Sequence, residues 1–173
     1  MAKAAEYSRE ERPLRSFTVA HRAEISPGVF LLSWSQPGTF VPGQVVKVAL
    51  DREHPPRIYS LCCGQGEETK SILFNIKEEG LLTPQLAKLE AGAPLLVSEP
   101  YGAFHGDPSP AYWIATGTGI APFYCMFQAG LSDQKILIHG VRYQNQFYFE
   151  DELDWALGKR YVRCCSGEQG DHV

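Results

Sequence analysis

Two periodicities of apolar and polar positions divide the chain near residue 105. The runs SFTVAHRAEI, VFLLSWS, QVVKVAL, RIYSLCC and SILFNIK are short, rich in β-branched and aromatic residues, and separated by the turn signals SPG, QPG, VPG and GQGEE. They predict the strands of a small antiparallel barrel. One helix interrupts them at TPQLAKLEAG, with Thr83 as N-cap, Pro84 in the first turn and Gly92 at the end. From AYWIATG onward the order is strand, Gly-rich turn, helix from about Pro122, strand KILIHGV, helix FEDELDWAL and strand RYVRCCS. That is the βαβαβ rhythm of a parallel, Rossmann-like sheet. HGDPSP is a turn-rich linker, so an antiparallel β-barrel domain is expected over residues 13–104 and an α/β domain over 108–173. No internal repeat or low-complexity tract breaks this order.

Length and composition narrow the picture. A chain of 173 residues with 44% apolar residues holds one fair-sized domain or two small ones that support each other. A net charge of -4, spread without blocks, argues against nucleic acid or an anionic membrane as an obligatory partner. No apolar run reaches the roughly 18 residues of a spanning helix, and the charged start MAKAAEYSREERPLR lacks the apolar stretch of a signal peptide. A cytoplasmic location and a monomer are the expectation. The five cysteines form two adjacent pairs, Cys62-Cys63 and Cys164-Cys165, with Cys125 alone. Neither a secreted disulfide framework nor CxxC metal spacing fits them, so buried thiols on strands are expected and no metal site.

Three motifs carry candidate chemistry. In ATGTGIAPF, Gly117 and Gly119 follow an apolar strand and precede a helix, where small residues let a ligand approach backbone N–H groups. Alone, such a turn is more often only a tight connection. In KEEGLLTPQL the backbone of Gly80, Leu81, Leu82 and Thr83 enters a helix whose N–H groups favour an anion, although a simple capped helix would read the same way. In RIYS, Arg57 and Tyr59 point to one face of a strand and Ser60 to the other. A pyrophosphate between the helix start and Arg57 would give the guanidinium a bidentate partner, and Tyr59 a stacking surface for an aromatic cofactor. Without the other motifs this would be a core tyrosine beside a surface arginine. His21, His54, His105, His139 and His172 are scattered and compose no catalytic dyad.

In order and spacing, RIYS, FNIKEEGLLT, ATGTGIAPF and ILIHGVRYQNQFYFEDEL resemble the successive signatures of the ferredoxin–NADP reductase family, especially its bacterial branch serving ferredoxin or flavodoxin. The resemblance runs from about Phe17 to Ser166. It implies that the barrel binds FAD and the α/β domain binds NADP, with NAD as the alternative. It implies hydride transfer between NADP(H) and flavin, and single-electron transfer between flavin and ferredoxin or flavodoxin. Arg57 would bind the FAD pyrophosphate, Tyr59 would stack on the isoalloxazine, and Ser60 would bond near its reactive edge, which makes Tyr59 and Ser60 the catalytic candidates. Leu81, Leu82 and Thr83 would hold the pyrophosphate, with Ile58, Phe74 and Ile76 in the same cofactor-binding set. Thr116 would stand where the nicotinamide enters, Gly117, Thr118 and Gly119 along the nucleotide path, and Arg142 on the 2'-phosphate side. After RYVRCC the family continues with a further helix-strand unit, a Cys-Gly element and an aromatic C-terminal segment, so the chain is expected to be a fragment. Gly167 and Glu168 stand where NADP-preferring relatives often place an arginine. A reductase module of a larger enzyme, or a flavin-binding electron-transfer subunit without nicotinamide activity, is the alternative reading.

Overall fold

The structure, a computed structural model, describes residues 12–65 and 68–167. Glu168, His172, the first eleven residues and part of the turn signal GQGEE lie outside the described residues. Strands β1 (Leu14–Ser26), β2 (Val29–Ser35), β3 (Val45–Ala49), β4 (Arg57–Ser60), β5 (Thr69–Asn75) and β6 (Pro94–Ser98) form a six-stranded sheet in the order β4-β3-β6-β1-β2-β5. Their pairings are all antiparallel. The two outer strands meet through the Leu61–Ile72 bridge and the 2.8 Å bond from Cys62 N–H to the Ser71 carbonyl. This closes the sheet into a barrel at that end.

Period-two alternation decides what each barrel strand faces. Phe30 pairs with Phe74 and Leu32 with Ile72, and these four fill the interior with Trp34, Val46, Val48, Leu95 and Val97. The intervening Val29 and Leu73 face outward, yet they are buried against the second half of the chain. That half contains β7 (Ala111–Thr116), α2 (Ala121–Gln128), β8 (Lys135–Val141), α3 (Glu150–Leu157) and β9 (Tyr161–Cys165). The three strands form a parallel sheet in the order β7-β8-β9. Trp113 and Ala115 of β7, Leu137 of β8 and Tyr161 of β9 share its core with Ile120, Met126 and Leu153. No helix among the described residues is long and apolar enough to cross a membrane.

Three elements depart from the sequence reading. PLLVS, passed over there, is β6, a central strand between β3 and β1. The helix expected over TPQLAKLEAG is a single turn, α1 (Thr83–Leu86), with Leu82 rather than Thr83 at its N-cap. The Thr83 hydroxyl turns back instead to accept the Lys77 N–H at 2.8 Å. Leu86 and Leu89 pack on the barrel core, and Gly92 N–H donates to the Val19 carbonyl, so the segment folds over the barrel end rather than continuing as a helix. Of the cysteines, Cys62 and Cys63 are buried just beyond β4 and Cys125 is buried on α2, whereas Cys164 and Cys165 are exposed. They lie on β9, an edge strand of the small sheet, which explains why burial fails there.

Candidate functional site

Strand β4 enters the barrel mouth beside β3, with Tyr59 opposite Val46 and Arg57 opposite Val48. Directly opposed residues of an antiparallel pair point to the same side. Tyr59 and Arg57 therefore share the face of two fully buried valines, as the alternation of the sequence predicts. Tyr59 packs on the core, its ring edge-on to Phe74 with centroids 6.3 Å apart. Burial raises the pKa of its hydroxyl and the positive charge of Arg57 partly offsets this, which keeps the phenol neutral beside a cation.

Arg57, Ile58 and Tyr59 line a cavity of about 350 Å³ together with Phe74, Leu81, Leu82, Thr83 and Thr118. This volume falls within the roughly 300–1,000 Å³ of small-molecule sites. Its far wall is the loop from Lys77 to Thr83, closed by the 2.8 Å bond from Gly80 N–H to the Lys77 carbonyl. A Cβ on Gly80 would stand 2.9 Å from that carbonyl, so only glycine keeps the loop tight. The loop presents Leu81, 70% exposed, at the mouth. One helical turn aligns few peptide dipoles, so this end offers an anion backbone N–H groups rather than a long helix's field.

Residues that the sequence did not single out complete the cavity. Asp51 and His54 line it from the β3–β4 loop. Asp51 Oδ1 accepts the N–H groups of Glu53 and His54 at 2.9 and 2.8 Å, and His54 Nδ1 lies 3.0 Å from Asp51 Oδ2. Bonds from the His54 backbone and ring hold the Asp51 carboxyl below its ordinary pKa. The spacing Asp-x-x-His of an Asx-type turn was the available signal. Lys77 and Asn75 also line the cavity, and they extend into a second cleft of about 560 Å³ that shares Thr118 with the first. Thr116, Gly117 and Ile76 line the second cleft with Gln146 and Tyr148. Gly117, at φ +50°, opens the 3₁₀ turn that carries Thr118 from the end of β7 to the wall between the clefts.

Ser60, Gly119 and Arg142 line neither cleft. Ser60 is half-buried on the opposite side of β4. Arg142 is exposed, its guanidinium 5.8 Å from the Tyr143 ring centroid. Its carbonyl accepts the Gly167 N–H at 2.7 Å, and a Cβ on Gly167 would stand 2.2 Å from that oxygen. This backbone has no room for a side chain at residue 167. The neighbouring Arg163 is held by Glu150 and, at 3.5 Å, by Asp154.

A family model described as an oxidoreductase NAD-binding domain matches residues 113–167. The chain is 36% identical over 130 residues to a ferredoxin–NADP reductase of Pseudomonas aeruginosa, a match covering 68% of this chain and 50% of that protein. It is 29% identical over 169 residues to ferredoxin–NADP reductase B of Sorangium cellulosum, covering 89% and 69%. A probable dihydroorotate dehydrogenase B electron transfer subunit of Pyrococcus furiosus is 24% identical over 158 residues, covering 91% and 55%. The chain thus spans about half the length of the first of these relatives. Among solved structures, an Amycolatopsis cytochrome P450 reductase superposes with a TM-score of 0.79 at 23% identity, covering 97% of this chain and 57% of that one. A Neisseria gonorrhoeae ferredoxin NADP+ reductase with bound FAD and NADP gives 0.74 at 21% identity, covering 89% and 68%. These two likenesses are of fold, and they agree with a barrel followed by a parallel sheet. The sequence matches across both halves establish that the chain belongs to the ferredoxin–NADP reductase-like family.

Proposed function

We propose that this chain is the flavin- and nicotinamide-binding part of an oxidoreductase that moves a hydride between NADP(H) and FAD and single electrons between flavin and ferredoxin or flavodoxin. The observation that carries the reading is the convergence of Arg57, Tyr59 and the Leu81–Thr83 loop on one cavity whose wall is completed by Thr118. The donor set fits FAD. Arg57 supplies a bidentate cation and Lys77 a second positive charge for a pyrophosphate, Tyr59 gives a flat ring for stacking, and Leu81 gives apolar cover. When bound, FAD links two-electron exchange with a nicotinamide to one-electron exchange with a protein partner. The chain's own work is then orientation and exclusion of water, and no side-chain acid or base is required. Thr116 and Gly117 border the second cleft, which we assign to the nicotinamide nucleotide, and the exposed Arg142 is the candidate for its 2'-phosphate. We assign the flavin part to residues 13–104 and the nucleotide part to residues 108–173.

Flavin released by heat and separated by chromatography should be FAD, and recovery of FMN alone would sink this reading. A second reading, an electron-transfer subunit within a larger complex, is supported by the match that covers 91% of this chain in the Pyrococcus furiosus electron transfer subunit. Oxidation of NADPH by the purified yellow protein with an artificial acceptor separates the two, since the subunit reading expects none.

A further inference from the structure

His139 stands in the middle of β8, wholly buried, and nothing in the proposed chemistry uses it. Phe147, Tyr148 and Tyr161 surround its ring, with centroids 5.6, 6.1 and 6.4 Å away. Nε2 lies 3.1 Å from the Gly117 carbonyl oxygen and Nδ1 lies 3.2 Å from the Tyr161 hydroxyl. A carbonyl only accepts, so Nε2 carries the proton. In the neutral ring Nδ1 is then the acceptor, and the Tyr161 O–H donates to it. Burial lowers the pKa of His139, in keeping with a neutral ring.

This run of bonds ends on the peptide that turns the chain out of β7. At Gly117 no atom lies within 4 Å of the place a Cβ would occupy, so packing on that side does not fix the residue. Its carbonyl is held from below by the histidine instead. The turn it opens brings Thr118 to the wall shared by both clefts.

We propose that His139 is a positioning residue for the nicotinamide nucleotide: through Gly117 it sets the Thr116–Thr118 turn, while Tyr161 orients His139 by fixing its tautomer. The inference rests on reading the second cleft as the nucleotide site.

The test uses FAD-loaded full chains of the wild type, His139→Leu, His139→Gln and Tyr161→Phe, titrated with NADPH while the flavin absorbance is followed. Flavin content should be equal in all four. Loss of one hydrogen bond in His139→Leu should weaken NADPH binding about three- to tenfold, and His139→Gln, which keeps an N–H donor, should stay within about twofold of wild type. Tyr161→Phe removes only a hydroxyl, keeps the packing, and should fall between them. NADPH binding to His139→Leu equal to wild type, or to His139→Gln as weak as to His139→Leu, would overturn the proposal. Should the wild type itself give no response to NADPH, the reading of the cleft fails, and nucleotide-free protein carrying ¹⁵N-histidine then decides the hydrogen-bond chain. An Nε2–H tautomer at His139, with slow amide exchange at residues 117–120 that is lost in His139→Leu, upholds the hold of His139 on the Thr116–Thr118 turn alone, and an Nδ1–H tautomer ends that as well.

Discussion

Two positions apart on β4, Arg57 and Tyr59 share a face, and substitution separates the roles proposed for them. Arg57→Ala removes a charge-assisted hydrogen-bond donor worth about 1.5–3 kcal/mol to a bound anion, so flavin retention should fall more than tenfold by about that measure. Equilibrium dialysis reads it directly, and unchanged occupancy would remove Arg57 from the site. Tyr59→Ala should loosen flavin while Tyr59→Phe keeps most of the affinity, because stacking needs the ring more than the hydroxyl. Equal losses would mean that the phenol serves as a core hydrogen-bonding group instead. At His139 the effect is on stability. Burial sets its pKa below the ordinary 6.5, among neighbours that include Tyr161, Tyr148 and Glu150. The unfolded chain therefore takes up this proton first on acidification. The stability that goes with the neutral ring is complete above that value and is lost as pH falls through it toward the folded pKa. His139→Gln should accordingly lose less melting temperature than wild type between about pH 7 and about pH 5. Parallel slopes would place the acid sensitivity at other groups.

Elements were legible from the sequence where a local pattern sufficed. VFLLSWS became β2 over its full length because alternation, Gly28 and the QPG turn all agree on its ends. Strand β6 escaped because PLLVS is a short continuous apolar run behind a helix-like stretch, and burial on both sides of a central strand erases alternation. Of the residues that line the first cleft, Arg57, Tyr59, Leu81 and Thr118 could be picked out from the sequence because each belongs to a strand face or a turn of few residues. Lys77, Gln146 and Tyr148 reach the clefts only through tertiary folding, and no local spacing announces them. The same holds for Lys135, at the start of β8 and 1% exposed, whose Nζ donates to the backbone carbonyls of Asp107 at 2.8 Å and of Ser109 in the linker. Lys135→Met should cost about 1.5–3 kcal/mol, since it removes the charge-assisted bonds that tie the exposed linker to β8. Chemical denaturation checks the stability, and faster protease cleavage within residues 105–110 would accompany it; an unaltered linker would mean that other contacts tether it.

At the scale of the molecule the two sheets differ in how completely they are covered. Residues on both faces of β2 and β5 are buried, one set inside the barrel and the other in the cluster shared with the parallel-sheet half. Gly43 marks that seam: at φ +102°, its Cβ position lies 2.2 Å from the Phe104 carbonyl and 2.6 Å from Met126 Cε of α2. Among the described residues, the parallel sheet buries the side of Trp113, Ala115 and Leu137. On its other side Tyr112 and Ile114 are 69% and 67% exposed, beside their partners Ile136 and Ile138, with Val162 next in register at 39%. Parallel sheets normally bury both faces, and a contiguous apolar patch of this kind binds hydrophobic probes. The 173-residue chain should therefore bind a fluorescent apolar dye in its native state and self-associate as its concentration rises. Ile114→Lys places a charge in the centre of that face without touching the barrel or either cleft. It should cut dye fluorescence and concentration-dependent scattering by at least about half while flavin content stays the same. Dye binding and scattering identical to wild type would show that another surface makes the chain adhesive, and a loss of flavin would show that this sheet face supports the site.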